Sequence, residues 1–319
     1  MSHIRFSYWF VLILALLGCR QDVEEFNPYA PSVQEIGNLL VQQIPGATVK
    51  TAFVASNLTT DRVLETENGT RVFLIDTDHL FANSSTGVTV PCSTCPDLKI
   101  EVTEVFDKSD IVARGLNTVT EDGTLFESGG MVLVTATCNG QALSLLPDRT
   151  LKIQLPNNNT QSGFFVFDRP ESANTVPAWT VSSQEVFEAE WPKSNGETQK
   201  GYELLVKKLG WVVCGRPLSD PLTSFCIELP SGFGGQNTLA YLVFKNQQIV
   251  APLQFDLGQN KFCFHKVPVG YQVQLVSVSK LGAQYWLGKA QTEVGTNATF
   301  PLSTQQMTEE AVLDFLKSL

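Results

Sequence analysis

The densest polar constellation in the chain is Asp76-Thr-Asp78-His79. Two carboxylates beside a histidine have the chemistry to bind a metal or to orient a base. A run of that kind more often ends a strand in a solvated turn, and the turn is the favoured reading. The other histidine beyond the N-terminal segment, His265, lies between apolar strand residues and a proline, where a packed or hydrogen-bonded ring is expected. Nucleophilic hydrolysis needs a base beside the nucleophile, and the chain has no Gly-x-Ser-x-Gly. It has no P-loop, dinucleotide glycine pattern or His-Glu-x-x-His either. Glu121-Asp-Gly123 lacks the alternating oxygen ligands of a dedicated calcium loop. Glu101, Glu104, Glu309 and Glu310 are expected on strand or helix surfaces, with nothing to set them across a cleft. No catalytic residue, metal or cofactor is therefore expected, and the chain reads as a non-enzyme.

Cysteine is the other reactive type. Of seven, Cys19 stands apart, leaving Cys92, Cys95, Cys138, Cys214, Cys226 and Cys263. An even number permits disulfides in an exported chain and leaves their connectivity open. Cys214 and Cys226 flank a turn (Gly215 to Pro221) and have the spacing to cross-link adjacent strands. Cys92-Ser-Thr-Cys95 is a lone CxxC. A redox reading needs a helix starting at the motif, whereas Pro96 leads into a strand. A zinc reading needs a second pair. A loop disulfide or two plain thiols is expected.

Cys19 closes the N-terminal segment. Arg5 makes a short basic start, and Phe6 to Gly18 (FSYWFVLILALLG) is an unbroken run of low polarity. That run is below the ~18 residues a membrane span needs, so residues 1–18 read as a signal peptide. Its end, Leu16-Leu-Gly-Cys19, resembles the lipobox of bacterial lipoproteins, where the cysteine thiol is acylated before cleavage. Leu17 departs from the small or β-branched residue usual there. Acyl chains on Cys19 imply a membrane anchor. Residue 20 is Arg rather than Asp, which suits passage to the outer membrane, and Gln21-Asp-Val-Glu-Glu25 resembles the acidic tether of surface-exported lipoproteins in Bacteroidetes-type bacteria.

The elements that must carry these residues are mostly strands. Lys and Arg number 22 against 32 Asp and Glu, and removing residues 1–18 takes away only Arg5, so the mature balance is 21 − 32 = −11. That excludes a nucleic-acid partner. Residues 19–31 are polar and proline-bounded, a tether. Over 32–46, Ser32 and Glu35 form a capping box, and Val33, Ile36, Leu39, Leu40 and Ile44 fall on one helical face, expected to dock on the first β-domain. A first β-sandwich is predicted over 47–160. Arg71–Ile75, Leu98–Val102 and Leu151–Leu155 are its clearest strands, and Gly129-Gly130 is read as a tight turn into Met131–Val134. An irregular join (161–200) holds Trp179 and Trp191. A second sandwich follows over 201–319, with strands at Tyr202–Val206, Leu239–Phe244, Ile249–Phe255 and Lys261–Phe264. Its apolar phase shifts between Leu275 and Val276, which suggests a bulge. A helix from about Met307 closes the chain and docks through Val312, Phe315, Leu316 and Leu319. The fold class is all-β: two sandwiches, a short N-terminal helix and a C-terminal helix.

Thr70-Arg-Val-Phe-Leu-Ile75, Leu98-Lys-Ile-Glu-Val-Thr-Glu-Val105, Leu125-Phe-Glu-Ser-Gly-Gly-Met131, Val134-Thr-Ala136 and Ile153-Gln-Leu-Pro156 resemble the β-sandwich domain of ankyrins and netrin receptors, in the form found in Bacteroidetes-type lipoproteins. Leu209-Gly-Trp-Val-Val-Cys-Gly-Arg-Pro217 resembles a block that follows such domains, with Val213, Gly215 and Pro217 breaking its pattern. Val267-Pro-Val-Gly-Tyr-Gln-Val273 is similar to the small sandwiches accompanying carboxypeptidases. These resemblances imply architecture rather than activity. Neither His79 nor His265 is followed by Phe-Ser, so the self-cleavage of some ankyrin-type domains is not expected. The implied role is a membrane-anchored binding, adhesion or envelope-assembly component with an envelope protein or glycan partner. The alternative is an accessory carbohydrate- or peptide-binding subunit of an envelope enzyme system. Exposed tryptophan faces at a junction cleft would favour the latter, and a continuous packed interface the former.

Overall fold

The computed structural model describes residues 32–44, 50–169, 178–193 and 196–319. Among the described residues there are three hydrogen-bonded sheets, the largest folded over on itself, so that four β-layers stack face to face with three helices between the middle two. The chain is all-β in class.

The first pair of sheets takes β1 (Thr51–Ala55), β2 (Arg62–Glu65), β3 (Arg71–Leu74), β4 (Phe81–Asn83), β5 (Leu98–Val105) and β6 (Phe126–Cys138). It continues with β7 (Gln141–Leu145), β8 (Leu151–Pro156), β9 (Phe165–Arg169), β10 (Thr180–Pro192), β11 (Thr198–Val206) and β12 (Gly210–Pro217). Hydrogen-bonded order runs β1-β5-β6-β12-β9-β10-β11-β8-β3-β2. β10 belongs to both sheets. Its start pairs with β9, a register irregularity falls between Val181 and Glu185, and its remainder pairs with β11. The path therefore folds over on itself. Ile100, Val102, Val132, Val134 and Val212 on one sheet face Val72, Ile153, Leu155 and Leu204 on the other.

The expected boundaries shift accordingly. Residues 161–200, read as an irregular join, supply β9, β10 and the start of β11, while Pro170 and Pro177 lie outside the described residues. Tyr202–Val206, placed in the second sandwich, pairs with β8 of the first. Chain order hid this because β11 and β12 close the first sandwich only after a long excursion.

The second pair comprises β13 (Leu222–Glu228), β14 (Thr238–Phe244), β15 (Val250–Pro252), β16 (Gln254–Asp256) and β17 (Lys261–Pro268). It is completed by β18 (Gln272–Leu281), β19 (Gln284–Glu293), β20 (Ala298–Pro301) and β21 (Thr304–Met307). One sheet is ordered β16-β17-β13-β20 and the other β15-β14-β18-β19-β21. The latter is buried on both faces. Ala240, Leu242, Phe244, Val273 and Leu275 face the second sandwich's own core, while Tyr241, Val243, Val276 and Val278 face the first sandwich. That double burial, and not the expected bulge, puts Leu275 and Val276 side by side. The register of β18 with β14 and β19 runs through without a break.

A bulge does occur in β6, at Gly129. Cys214 pairs with Gly130 and Gly215 with Ser128, so Gly129 is the extra residue. Gly129-Gly130 is thus a bulge inside a strand and not a turn before one. It lets Phe126 and Met131, an odd distance apart, face the same core. A side chain at Gly129 would meet Tyr202, Phe164 and Cys214, and Gly130 has φ +134°, so the bulge needs glycine.

The three helices fill the seam. α1 (Ser32–Gln43) buries Ile36 and Leu40, with Ile44 just beyond it, and it packs on β18, β14 and α2 (Lys108–Ala113). The expectation that α1 docks on the first sandwich is corrected: its main contact is the second. Glu35 ion-pairs with Lys280, and the side chain of Ser32 lies outside the described residues. α3 (Glu309–Lys317) is capped by Thr308, whose hydroxyl accepts from the Ala311 amide, and it buries Val312, Leu313 and Leu316 in the same seam.

Candidate functional site

Cys19 and the tether precede the described residues, and no helix among those residues is long and apolar enough to cross a membrane.

The cysteines pair across the fold. Cys95 bonds to Cys138, and Cys226 to Cys263, its directly opposed partner across β13 and β17. The Cys92–Cys95 and Cys214–Cys226 links suggested by sequence spacing are not formed. Cys214 lies in the first core, whereas Cys226 lies in a strand of the second sandwich. Cys92 and Cys214 are free and fully buried. Burial, with Asp78 nearby, raises the Cys92 thiol to about 11, and burial pushes the Cys214 thiol well up. Neither is a thiolate nucleophile at neutral pH.

Asp76, Asp78 and His79 are brought together as a turn. Asp76 adopts a left-handed conformation at φ 51° and opens a single 3-10 turn over Thr77–His79. Its carboxylate meets His79 Nδ1 at 2.9 Å and Arg149 Nη1 at 3.0 Å. The bond from His79 holds the Asp76 carboxyl below its usual range. Asp78 accepts from the Ser93 amide at 2.9 Å. These groups satisfy one another at the surface, and among the described residues no group of three His, Cys, Asp or Glu side chains is placed to hold a metal.

Glu121-Asp-Gly123 is another closed turn. Asp122 Oδ1 accepts from the Thr120 hydroxyl at 2.5 Å and Oδ2 from Thr124 at 2.8 Å, with Lys266 3.8 Å away. Donation from Thr120 is the main reason its carboxyl falls to about 2.

His265 is exposed, and its Nδ1 lies 3.2 Å from Ser224 Oγ. Nothing in the local sequence marks that contact, because the two residues meet only through β13–β17 pairing. A serine–histidine contact has the first element of nucleophilic catalysis, but a third group must orient the ring. Among the described residues no carboxylate bonds it.

Trp179, Trp191 and Trp211 are buried in the packing of the fold. Trp179 is fully buried. Its Nε1 donates to the Asn117 carbonyl at 2.7 Å, and its ring stands edge-on to Phe126 and beneath the Arg169 guanidinium, 5.5 Å away. Trp211 is buried in the same seam under Arg114, and Trp191 lies against Gly201. Where a cleft with exposed indoles would stand, the seam is filled.

Three of the hollows among the described residues bear on function. A groove of 450 Å³ at the seam's rim is lined by Val33, Leu116, Asn117, Tyr241, Leu253 and Phe255 among others. A second hollow of 500 Å³ is acidic, with Glu67, Glu104, Asp107 and Asp110 in its wall. Glu104 was expected on a strand surface. It is buried and accepts from Thr66 Oγ1 at 2.7 Å and Asn68 Nδ2 at 3.0 Å. Burial, with Asp107 nearby, pushes the Asp110 carboxyl up. The third, of 230 Å³, is an apolar slot between β1 and β2, floored by Leu58, Leu64, Leu74, Leu98 and Ile100 with Arg62 in its wall. No sequence signal marked it, since it depends on which strands end the two sheets.

No family model matches the chain, and no curated sequence does either.

Proposed function

We propose that the chain is a lipid-anchored envelope protein that works through its surfaces, as a non-enzymatic binding, adhesion or assembly component held by acyl chains on Cys19. The observation that carries this reading is the filled seam. The junction of the two sandwiches is the natural place for a substrate cleft, and it is packed by three helices around Trp179 and Trp211. Such a body presents surfaces to partners instead of enclosing a substrate. The two disulfides agree with export to an oxidising compartment. The polar clusters around His79 and Asp122 are closed by their own hydrogen bonds. The accessory-subunit reading, narrowed to peptide, is favoured by the apolar slot at the β1–β2 edge.

Anchoring is tested in a native host by metabolic acyl labelling and membrane fractionation of wild type and Cys19→Ala. The wild type is expected to take label and sediment with membranes, and the variant to lose both. Equal sedimentation without label in either form overturns the reading.

A further inference from the structure

We infer that the open end of the first sandwich is a strand-addition site, where an extended, acidic segment of a partner polypeptide pairs with β1. This rests on the reading of the chain as a surface-acting binding protein and names the chemistry of the partner.

β1 and β2 end the hydrogen-bonded path of the folded-over sheet, and among the described residues neither has a strand on its outer side. An edge strand leaves a row of backbone N–H and C=O groups at strand spacing, and another extended backbone is the chemistry that matches that row. Edges are ordinarily blunted by lysine, proline, a bulge or a cover. β15 shows such a cover: the Thr118 amide donates to the Val250 carbonyl, and the Val250 amide donates to the Thr118 hydroxyl, both at 3.0 Å. Among the described residues no segment covers β1, and within the strand itself there is no lysine, proline or bulge. Thr51-Ala-Phe-Val-Ala55 is uncharged, its register with β5 is unbroken, and Val54 is 66% exposed.

The slot beside this edge reaches into the first core and is floored by leucine and isoleucine. An added strand projects alternate side chains towards one face, so its apolar residues would enter the slot while its backbone pairs with β1. Charge selects among such strands. Arg62 is exposed in the wall of the slot and Lys50 adjoins β1, and neither has a carboxylate partner among the described residues. On β2 the other charge, Glu65, is already held by Arg71 at 3.1 Å. A carboxylate on the incoming strand would therefore find an unpaired guanidinium. A second copy of this chain would bring more cations to the same mouth, which disfavours self-pairing.

The test uses the full lipidated chain in detergent and two labelled, end-capped peptides, Glu-Val-Thr-Val-Thr-Val-Thr and its counterpart beginning with Lys, read by fluorescence anisotropy. The wild type is expected to bind the glutamate peptide about tenfold more tightly than the lysine peptide. Arg62→Glu should reverse that order. Val54→Lys, at an exposed position, should abolish binding of both with its thermal melt unchanged. If Val54→Lys misfolds, the reversal by Arg62→Glu decides alone. Absence of saturable binding to the wild type overturns the proposal, as does binding that Arg62→Glu leaves unchanged. A concentration-dependent dimer abolished by Val54→Lys, without peptide binding, overturns it in favour of self-pairing. Loss of peptide binding with acylation intact sinks this site and leaves the anchored reading standing.

Discussion

Replacing Trp179 with alanine probes whether the seam makes the two sandwiches one cooperative body. The side chain is fully buried between the outer faces of two sheets. Removing a buried tryptophan costs about 3–5 kcal/mol, because the transfer energy is lost and the cavity collapses only partly. Several contacts sit inside that figure. The edge-on pair with Phe126 at 6.3 Å contributes about 0.5–1.5 kcal/mol, and the bond to the Asn117 carbonyl a similar amount. Arg169, which burial already pushes down to about 10, also loses the ring beneath it. A loss near ~4 kcal/mol is therefore expected. Urea unfolding of the reduced-background-free, disulfide-intact chain should be followed by circular dichroism and intrinsic fluorescence together. One coincident transition is expected in the wild type and one in Trp179→Ala, displaced to lower urea. A loss under ~1 kcal/mol would refute the packing argument. Two transitions, with only the earlier one displaced, would refute the claim that the seam couples the sandwiches.

Other consequences can be checked directly. Peptide mapping without reduction should recover Cys95–Cys138 and Cys226–Cys263, with Cys92 and Cys214 alkylated only after unfolding. Sequence separations of 43 and 37 imply about 4 kcal/mol of stability lost on reducing either bond, on the chain-entropy account. Recovery of linked Cys92–Cys95 or Cys214–Cys226 peptides would contradict the fold. The Asp122 carboxyl is lowered from 3.8 to about 2 in the folded chain, so its stabilising effect is complete above its unfolded value and fades as pH falls from about 5 through 2. Asp122→Asn should flatten that part of an acid-unfolding curve measured by circular dichroism. A curve of unchanged slope would mean the Thr120–Asp122–Thr124 turn does not couple to folding.

Where a strand buries one face, the sequence displays it. Leu98–Val102 and Leu151–Leu155 alternate cleanly and lie in β5 and β8. The C-terminal helix was equally legible from its acidic first turn and its apolar stripe. Double burial defeated the same logic in β18, where a run of adjacent apolar residues serves two cores. β10 was hidden for the opposite reason: Glu188 and Glu190 are exposed, and the strand changes sheets midway. Disulfide partners follow register, so neighbours in sequence such as Cys214 and Cys226 sit in different sandwiches. Glu104 read as a surface residue because nothing local announces Thr66 and Asn68, which fold over it. The β1–β2 slot exists only once the sheets have closed and left two strands without partners.

The central claim is that Cys19 is the acylated first residue of the mature chain. Mass spectrometry of the N-terminal peptide from protein extracted from its own membranes tests it most directly. The expected result is a peptide beginning at Cys19 and carrying acyl chains on that residue. A mature terminus at Cys19 with an unmodified thiol, or cleavage elsewhere, would contradict it.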